Sequence, residues 1–219
     1  MSSIKAMEPF ADECTEIFIR SMIEMQGEAI DLGMWLQWYA FDVISAITFR
    51  RRLGFMEQKR DIENMIHDIA EGFEFTAIVG QIPQTLLSDL LRARTWLAHY
   101  IPFLEPRNPL RSVVDFTEHC ISEYDRNPPS HESPDLLGWL RESNAKGEAI
   151  PQRDLVNQLS NNFLAGSDTT AISLRAVFYY LTRHPKFYRK AQAEVDEADR
   201  DGKLSEYITY AESLQLPFL

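Results

Sequence analysis

From about Pro151 to His184 the apolar residues recur at helical spacing over one long rod, and the rest of the chain has to fold around it. Inside that rod, Gly166-Ser167-Asp168-Thr169-Thr170 breaks the local rule. Against alanine these residues cost on the order of 2–4 kcal/mol if all of them stay helical. Their short polar side chains also compete for backbone hydrogen bonds, which bends or opens a helix. The stretch admits two readings. In one, Gly166 ends a helix and Ser167 or Asp168 caps the next. In the other, the helix runs through and Gly166 lets a flat ligand approach the backbone. Asp168 and Thr169 then form an acid–alcohol pair in a loosened turn that admits water. Local chemistry alone leaves both open.

Helical spacing, and not strand alternation, runs through nearly every other segment, so the expected class is mainly α in a single domain. Met7 to Met25 places Phe10, Cys14, Ile17 and Met22 roughly on one face. Ile30 to Phe49 carries a broad stripe of Ile30, Met34, Trp38, Phe41 and Ile44, with Trp35 and Trp38 read as core. Arg50 to Lys59 reads as a turn stopped by Gly54. Asp61 caps a helix to Val79 whose second half, Phe73 to Gly80, loses periodicity. Thr85 to Tyr100 resumes after Pro83. Residues 72–104, with Phe73, Phe75, Trp96, Tyr100 and Phe103, read as a buried helix pair or as a membrane-skimming or ligand-access surface. Leu110 to Tyr124, Asp135 to Glu142 and Lys186 to Asp199 complete the helices. The clearest loop is Asn127 to Pro134, and Pro151 suits the first turn of the long helix.

Composition removes several functions. A net charge of −11 argues against nucleic acid, which needs clustered Lys and Arg. The run Arg50-Arg51-Arg52 reads equally well as a solvated helix end. Two cysteines, Cys14 and Cys120, make no disulfide framework. No signal pattern and no stretch of membrane-spanning length is visible. The histidines His67, His99, His119, His131 and His184 lack metal-ligand spacing, so no metal site is expected on them. Glu197 to Ile208 fits some positions of a calcium loop, but Ile208 stands where a bidentate Glu is needed. A solvated turn is the better reading. Glycine-rich phosphate loops, Gly-x-Ser-x-Gly and His-Glu-x-x-His are all missing.

With those classes gone, Ala165-Gly166-Ser167-Asp168-Thr169-Thr170 resembles the Ala/Gly-Gly-x-Asp/Glu-Thr-Thr/Ser signature of the cytochrome P450 enzymes, the heme-thiolate monooxygenases. Leu181-Thr182-Arg183-His184-Pro185, Lys190 to Val195 and Tyr210 to Leu219 resemble the segments downstream of that signature in the family. Trp38 to Ile44 and Ile47-Thr48-Phe49 resemble an earlier helix, most like fungal members. The resemblance implies a partial cytochrome P450 fold over residues 1–219, with the long central helix at about 151–184. It implies a heme cofactor, a lipophilic small-molecule substrate, dioxygen as oxidant and an NADPH-dependent reductase as partner. By family it also implies residence at the cytosolic face of the endoplasmic reticulum membrane. In such enzymes a cysteine thiolate holds the iron and favours O–O cleavage. The resemblance makes Asp168 a proton shuttle to bulk solvent and Thr169 the holder, through its hydroxyl, of the oxygen species and its ordered water. Ala165 and Gly166 would line the distal heme face with Thr169. Phe73 to Val79 would cover the substrate, and Thr170 supports the turn.

The family's Glu-x-x-Arg helix should begin where the chain stops, at Leu219. The strings Glu57 to Arg60, Glu123 to Arg126 and Glu197 to Arg200 fall in the wrong places. The heme-ligating cysteine loop is absent, since neither Cys14 nor Cys120 has its context. The expectation is therefore an incomplete domain, a monooxygenase by descent but inactive alone. The competing class is a non-catalytic helical scaffold derived from the same fold. Polar coverage of the heme-side face would mark that scaffold.

Overall fold

The computed structural model describes residues 5–83, 110–127, 135–144 and 150–219; the expected helix Thr85 to Tyr100 lies outside them. The helices are α1 (Glu8–Glu24), α2 (Leu32–Phe49), α3 (Phe55–Gln58), α4 (Met65–Val79), α5 (Arg111–Arg126), α6 (Leu136–Asn144), α7 (Gln152–Arg183), α8 (Pro185–Arg200) and α9 (Tyr210–Ser213). Among the described residues there is no strand, and the mainly α class holds. The long helix matches its expected span to within a residue at each end.

Packing centres on α2 against α7, with α1 and α5 closing the two sides. An aromatic chain threads the core. Phe41 on α2 meets Phe55 and Phe163, and Phe163 reaches Phe116, which meets Phe49 edge-on. Phe41, Phe55 and Phe163 are wholly buried. Full burial of such a side chain contributes roughly 1.5–3 kcal/mol, so a few of them offset the poor helix formers of α7. Trp35 and Trp38 are core as expected, packed edge to face.

Other expectations need correction. The stripe expected on α2 is narrower, because Ile30 precedes the helix and both it and Met34 are exposed. α2 begins at Leu32, where the Asp31 carboxylate accepts from the Met34 N–H. Gly54 does not stop a turn. It stands at φ +86° as the residue before α3, a conformation that favours glycine. What ends α2 is Arg50, in the left-handed region at φ 54°. The helix expected from Asp61 starts later, after a 3-10 turn at Ile62–Asn64, although Asp61 still caps it by accepting from the Ile66 and His67 N–H groups. α4 stays helical to Val79 despite its lost periodicity, and Phe73, Phe75 and Ile78 on it are exposed rather than buried. The arginine run is a solvated helix end, as expected, and it carries surface ion pairs as well. Arg51 pairs with Glu123 of α5, and Arg52 pairs with Glu13 of α1 and Glu57 of α3.

The connection from α2 to α3 hangs on one buried carboxylate. Asp42 is fully buried and accepts from the backbone N–H groups of Gly54 (2.7 Å), Phe55 (3.3 Å) and Met56 (3.1 Å). Those are the orphan donors of α3's first turn. Burial raises the Asp42 carboxyl above its ordinary 3.8, while the three N–H partners pull it back down. Asp42→Ala leaves those donors unpaired in the interior and is expected to cost about 3 kcal/mol or more, read as a lowered denaturant midpoint. Because the folded value is raised, the stability this group contributes is complete below 3.8 and is lost as pH rises through the folded value. The advantage of wild type over Asp42→Asn should therefore shrink with rising pH across that window; an advantage that grows there would refute the account.

Candidate functional site

α7 runs unbroken through Asn161 to Thr170, so the helix-break reading fails. Its inward face carries Leu155, Val156, Leu159, Phe163, Ser167 and Ala171, all buried. Tertiary packing of that face, more than propensity, keeps the segment helical. The opposite face is open. Ala165, Thr169, Ile172, Ser173 and Ala176 are exposed along it.

The expected site residues divide around this helix. Ala165 and Thr169 lie one turn apart on the open strip, and the Thr169 hydroxyl donates to the Ala165 carbonyl at 2.7 Å. Asp168 and Gly166 each stand about 100° away round the helix, on opposite sides of the strip. Asp168 is half-buried, and its carboxylate makes no hydrogen bond or ion pair among the described residues. Thr170 is exposed.

At Gly166 the close approach is to a helix. A β-carbon there would stand 2.7 Å from Ile44 Cδ1 and 3.0 Å from its Cγ1 on α2. Glycine leaves room there for the Ile44 side chain of α2, which a larger residue would have to displace; nothing in this packing needs a flat ligand at that position. The expected residues therefore come together only in part. Thr169 and Ala165 share an open surface, Asp168 adjoins them, and Gly166 faces the bundle.

Polar pins hold the helix in register. Asn162 donates to Thr48 of α2 (3.3 Å), and Ser160 donates to Thr117 of α5 (3.0 Å). Further along, Arg175 donates to the Gly33 carbonyl (2.8 Å) and the Gln37 side chain (2.6 Å), tying α7 to the start of α2. Two residues of this region carry little signal in the sequence. Ile44 is visible there only as one member of a stripe. Ser173, on the open strip, donates to the Thr169 carbonyl at 2.9 Å; its only signal is a hydroxyl four residues after Thr169.

The strip suits one face of a flat apolar cofactor such as heme: small side chains, two hydroxyls, and exposed Ile172 and Val177 beside them. An axial thiolate is another matter. Cys14 and Cys120 are both buried in the bundle, and burial pushes each thiol up to about 12. Neither lies on the open strip, so these residues fit the distal side of heme and not its ligation.

Among the described residues the protein is a helical bundle whose one long helix leaves a face of small residues exposed. The chain belongs to the cytochrome P450 family, whose model matches residues 1–219. A cytochrome P450 monooxygenase of Aspergillus terreus is 32% identical across the whole chain, which covers 45% of that relative. The cytochrome P450 monooxygenase gsfF of Penicillium aethiopicum is 33% identical, again across the whole chain and 44% of the relative. The chain thus spans just under half the length of these curated relatives. A mutant cytochrome P450DA heme domain superposes with a TM-score of 0.72 at 20% identity, covering all of this chain and 45% of that one. That likeness speaks to the fold alone.

The Gly166–Ile44 contact makes a direct test of the α2–α7 crossing. Gly166→Ala, harmless by helix propensity, should destabilise by about 1–3 kcal/mol through overpacking. Ile44→Val removes the Cδ1 atom and should relieve most of that loss in the double variant. A double-mutant cycle in thermal unfolding that shows no coupling would place the contact elsewhere.

Proposed function

We propose that the protein carrying this chain is a heme-dependent monooxygenase acting on a lipophilic small molecule, and that residues 1–219 form the central helical part of one domain. The observation that carries the reading is the open strip of α7, with the back-bonded Thr169 beside Asp168, which has no partner among the described residues. The fungal relatives named as monooxygenases support it. Ala165 and Thr169 would lie against the heme, with Gly166 setting the height of the helix above it through its contact with Ile44. Bound heme would supply activation of dioxygen and storage of electrons.

The protein's own part is handling of water and protons. Thr169 commits its only hydroxyl proton to the Ala165 carbonyl. It therefore turns lone pairs to the open strip and accepts from a water or ligand O–H there. Asp168, half-buried and without a partner among the described residues, exchanges protons between that water and bulk solvent. Exposed Phe73, Phe75 and Ile78 on α4 offer an apolar cover for the substrate. Electrons would come from an NADPH-dependent reductase, as in the family at large, and the site of action would be the endoplasmic reticulum membrane. Among the described residues no helix is long and apolar enough to cross a membrane. A scaffold would be expected to cover the strip with polar groups, and exposed Ile172 and Val177 weigh against that reading.

Because both cysteines are buried, the thiolate ligand has to come from outside these residues. Residues 1–219 mixed with heme, reduced and placed under carbon monoxide should give no thiolate-type Soret band; such a band would overturn the assignment of both thiols to the core. In the heme-loaded protein carrying this chain, Asp168→Asn should slow turnover by about 10²-fold and raise its solvent isotope effect, the range for loss of a proton-transfer group. Turnover that survives the change intact would remove Asp168 from the reaction.

A further inference from the structure

We infer that Ser173 is a positioning residue for Thr169, acting through the backbone turn between them; this rests on the monooxygenase reading above. Two side-chain hydrogen bonds run in tandem along the open face of α7. Thr169 Oγ1 donates to the Ala165 carbonyl at 2.7 Å, and Ser173 Oγ donates to the Thr169 carbonyl at 2.9 Å. Both span four residues, the same step as the helical ladder. Each of the two carbonyls therefore receives a hydroxyl in addition to the amide N–H of its own turn, and a carbonyl shared in this way holds its ladder bond less tightly. Ser or Thr bonded back to the preceding turn bends a helix away from straightness.

The two bonds differ in what they serve. The first orients the Thr169 side chain. The second acts on the Thr169 main chain, and so sets the tilt of the residue whose hydroxyl faces the cofactor side. Ser173 is exposed, packs against nothing in the core and makes no other side-chain hydrogen bond among the described residues. Alanine is a better helix former at such a position, and the side-chain bond that serine makes there among the described residues is the one to the Thr169 carbonyl. The inward face opposite is fixed by Phe163, Ser167 and Ala171, and by the Gly166–Ile44 contact. Give in the turn is thus confined to the open side, where Ser173 supplies it.

The experiment has a spectroscopic arm and a kinetic arm. With a 13C label at the Thr169 carbonyl, isotope-edited infrared spectroscopy of the purified protein reads how many donors that carbonyl has. In Ser173→Ala the band should move to higher frequency and amide exchange at residue 173 should slow, as the ladder bond shortens; Ser173→Thr should restore both. In the heme-loaded protein, Ser173→Ala should lower kcat about tenfold, short of the ~10²–10⁴-fold of losing a proton-transfer group. KM should stay unchanged, because the group acts on the reacting geometry and not on substrate binding. Ser173→Thr should recover the rate. A carbonyl band that does not move overturns the inference, and so does a shifted band with kcat intact in an active protein. A wild-type protein that takes up no heme overturns the monooxygenase reading first and this inference with it, and is told apart by failing before any variant is made.

Discussion

The crossing of α2 and α7 at Gly166 and Ile44 decides most of what the rest of the bundle can do. With the β-carbon position of residue 166 already filled by the Ile44 side chain, the two helices pack side chain against backbone there. That packing gives Phe41 its contact with Phe163 and lets Asn162 reach Thr48. It also fixes the rotation of α7. Once residues 163, 167 and 171 are committed inward, residues 165, 169 and 173 must point away from α2. The open strip is a consequence of the packing behind it.

Polar groups then keep that rotation from drifting. A helix held only by apolar contacts can slide, since the hydrophobic effect has no direction. Here the pins are spaced along α7: Ser160 to α5, Asn162 to the end of α2, Arg175 to its start. Each is modest, about 1 kcal/mol net, but each has one geometry. Asp42 plays the same part for α2, since its carboxylate fixes where α3 begins. Trp38 is one exception: its buried Nε1 has no partner among the described residues, as is true also of Ser112 Oγ, Asp135 Oδ2 and Arg141 Nε, and the packing gives no account of it.

The parts that could be read from sequence are those governed by short-range periodicity. The bounds of α7, the core placement of Trp35 and Trp38 and the capping role of Asp61 all depend on residues within a turn or two of each other. What sequence did not yield depends on contacts between distant segments. Gly166 has the same local chemistry whether a cofactor or a helix lies beside it, and only the position of Ile44, far earlier in the chain, separates the two. Met34 fits a helical stripe but is exposed, although its neighbours Gly33 and Gln37 are tied to α7 by Arg175. Phe73 and Phe75 are apolar and helical, yet exposed, because burial is a property of neighbours and not of the residue.

The five poor helix formers pose the deeper question, since the structure keeps them helical at a cost alanine would not incur. Their hydroxyls do not offset it, since Ser167 bonds to the Leu164 carbonyl and Thr169 to that of Ala165 in competition with the ladder. The inward residues of α7 do, with Leu159 and Phe163 fully buried just before the run and Ala171 just after it. A helix anchored on both sides of a weak turn does not need good helix formers within that turn. Its chemistry is then free to be chosen for something else. The sequence departs from good helix formers at a stretch where packing allows it and where a hydroxyl and a carboxylate stand beside an open wall. Propensity alone would mark this stretch as a defect. Its placement between two buried anchors makes it a site the fold can tolerate.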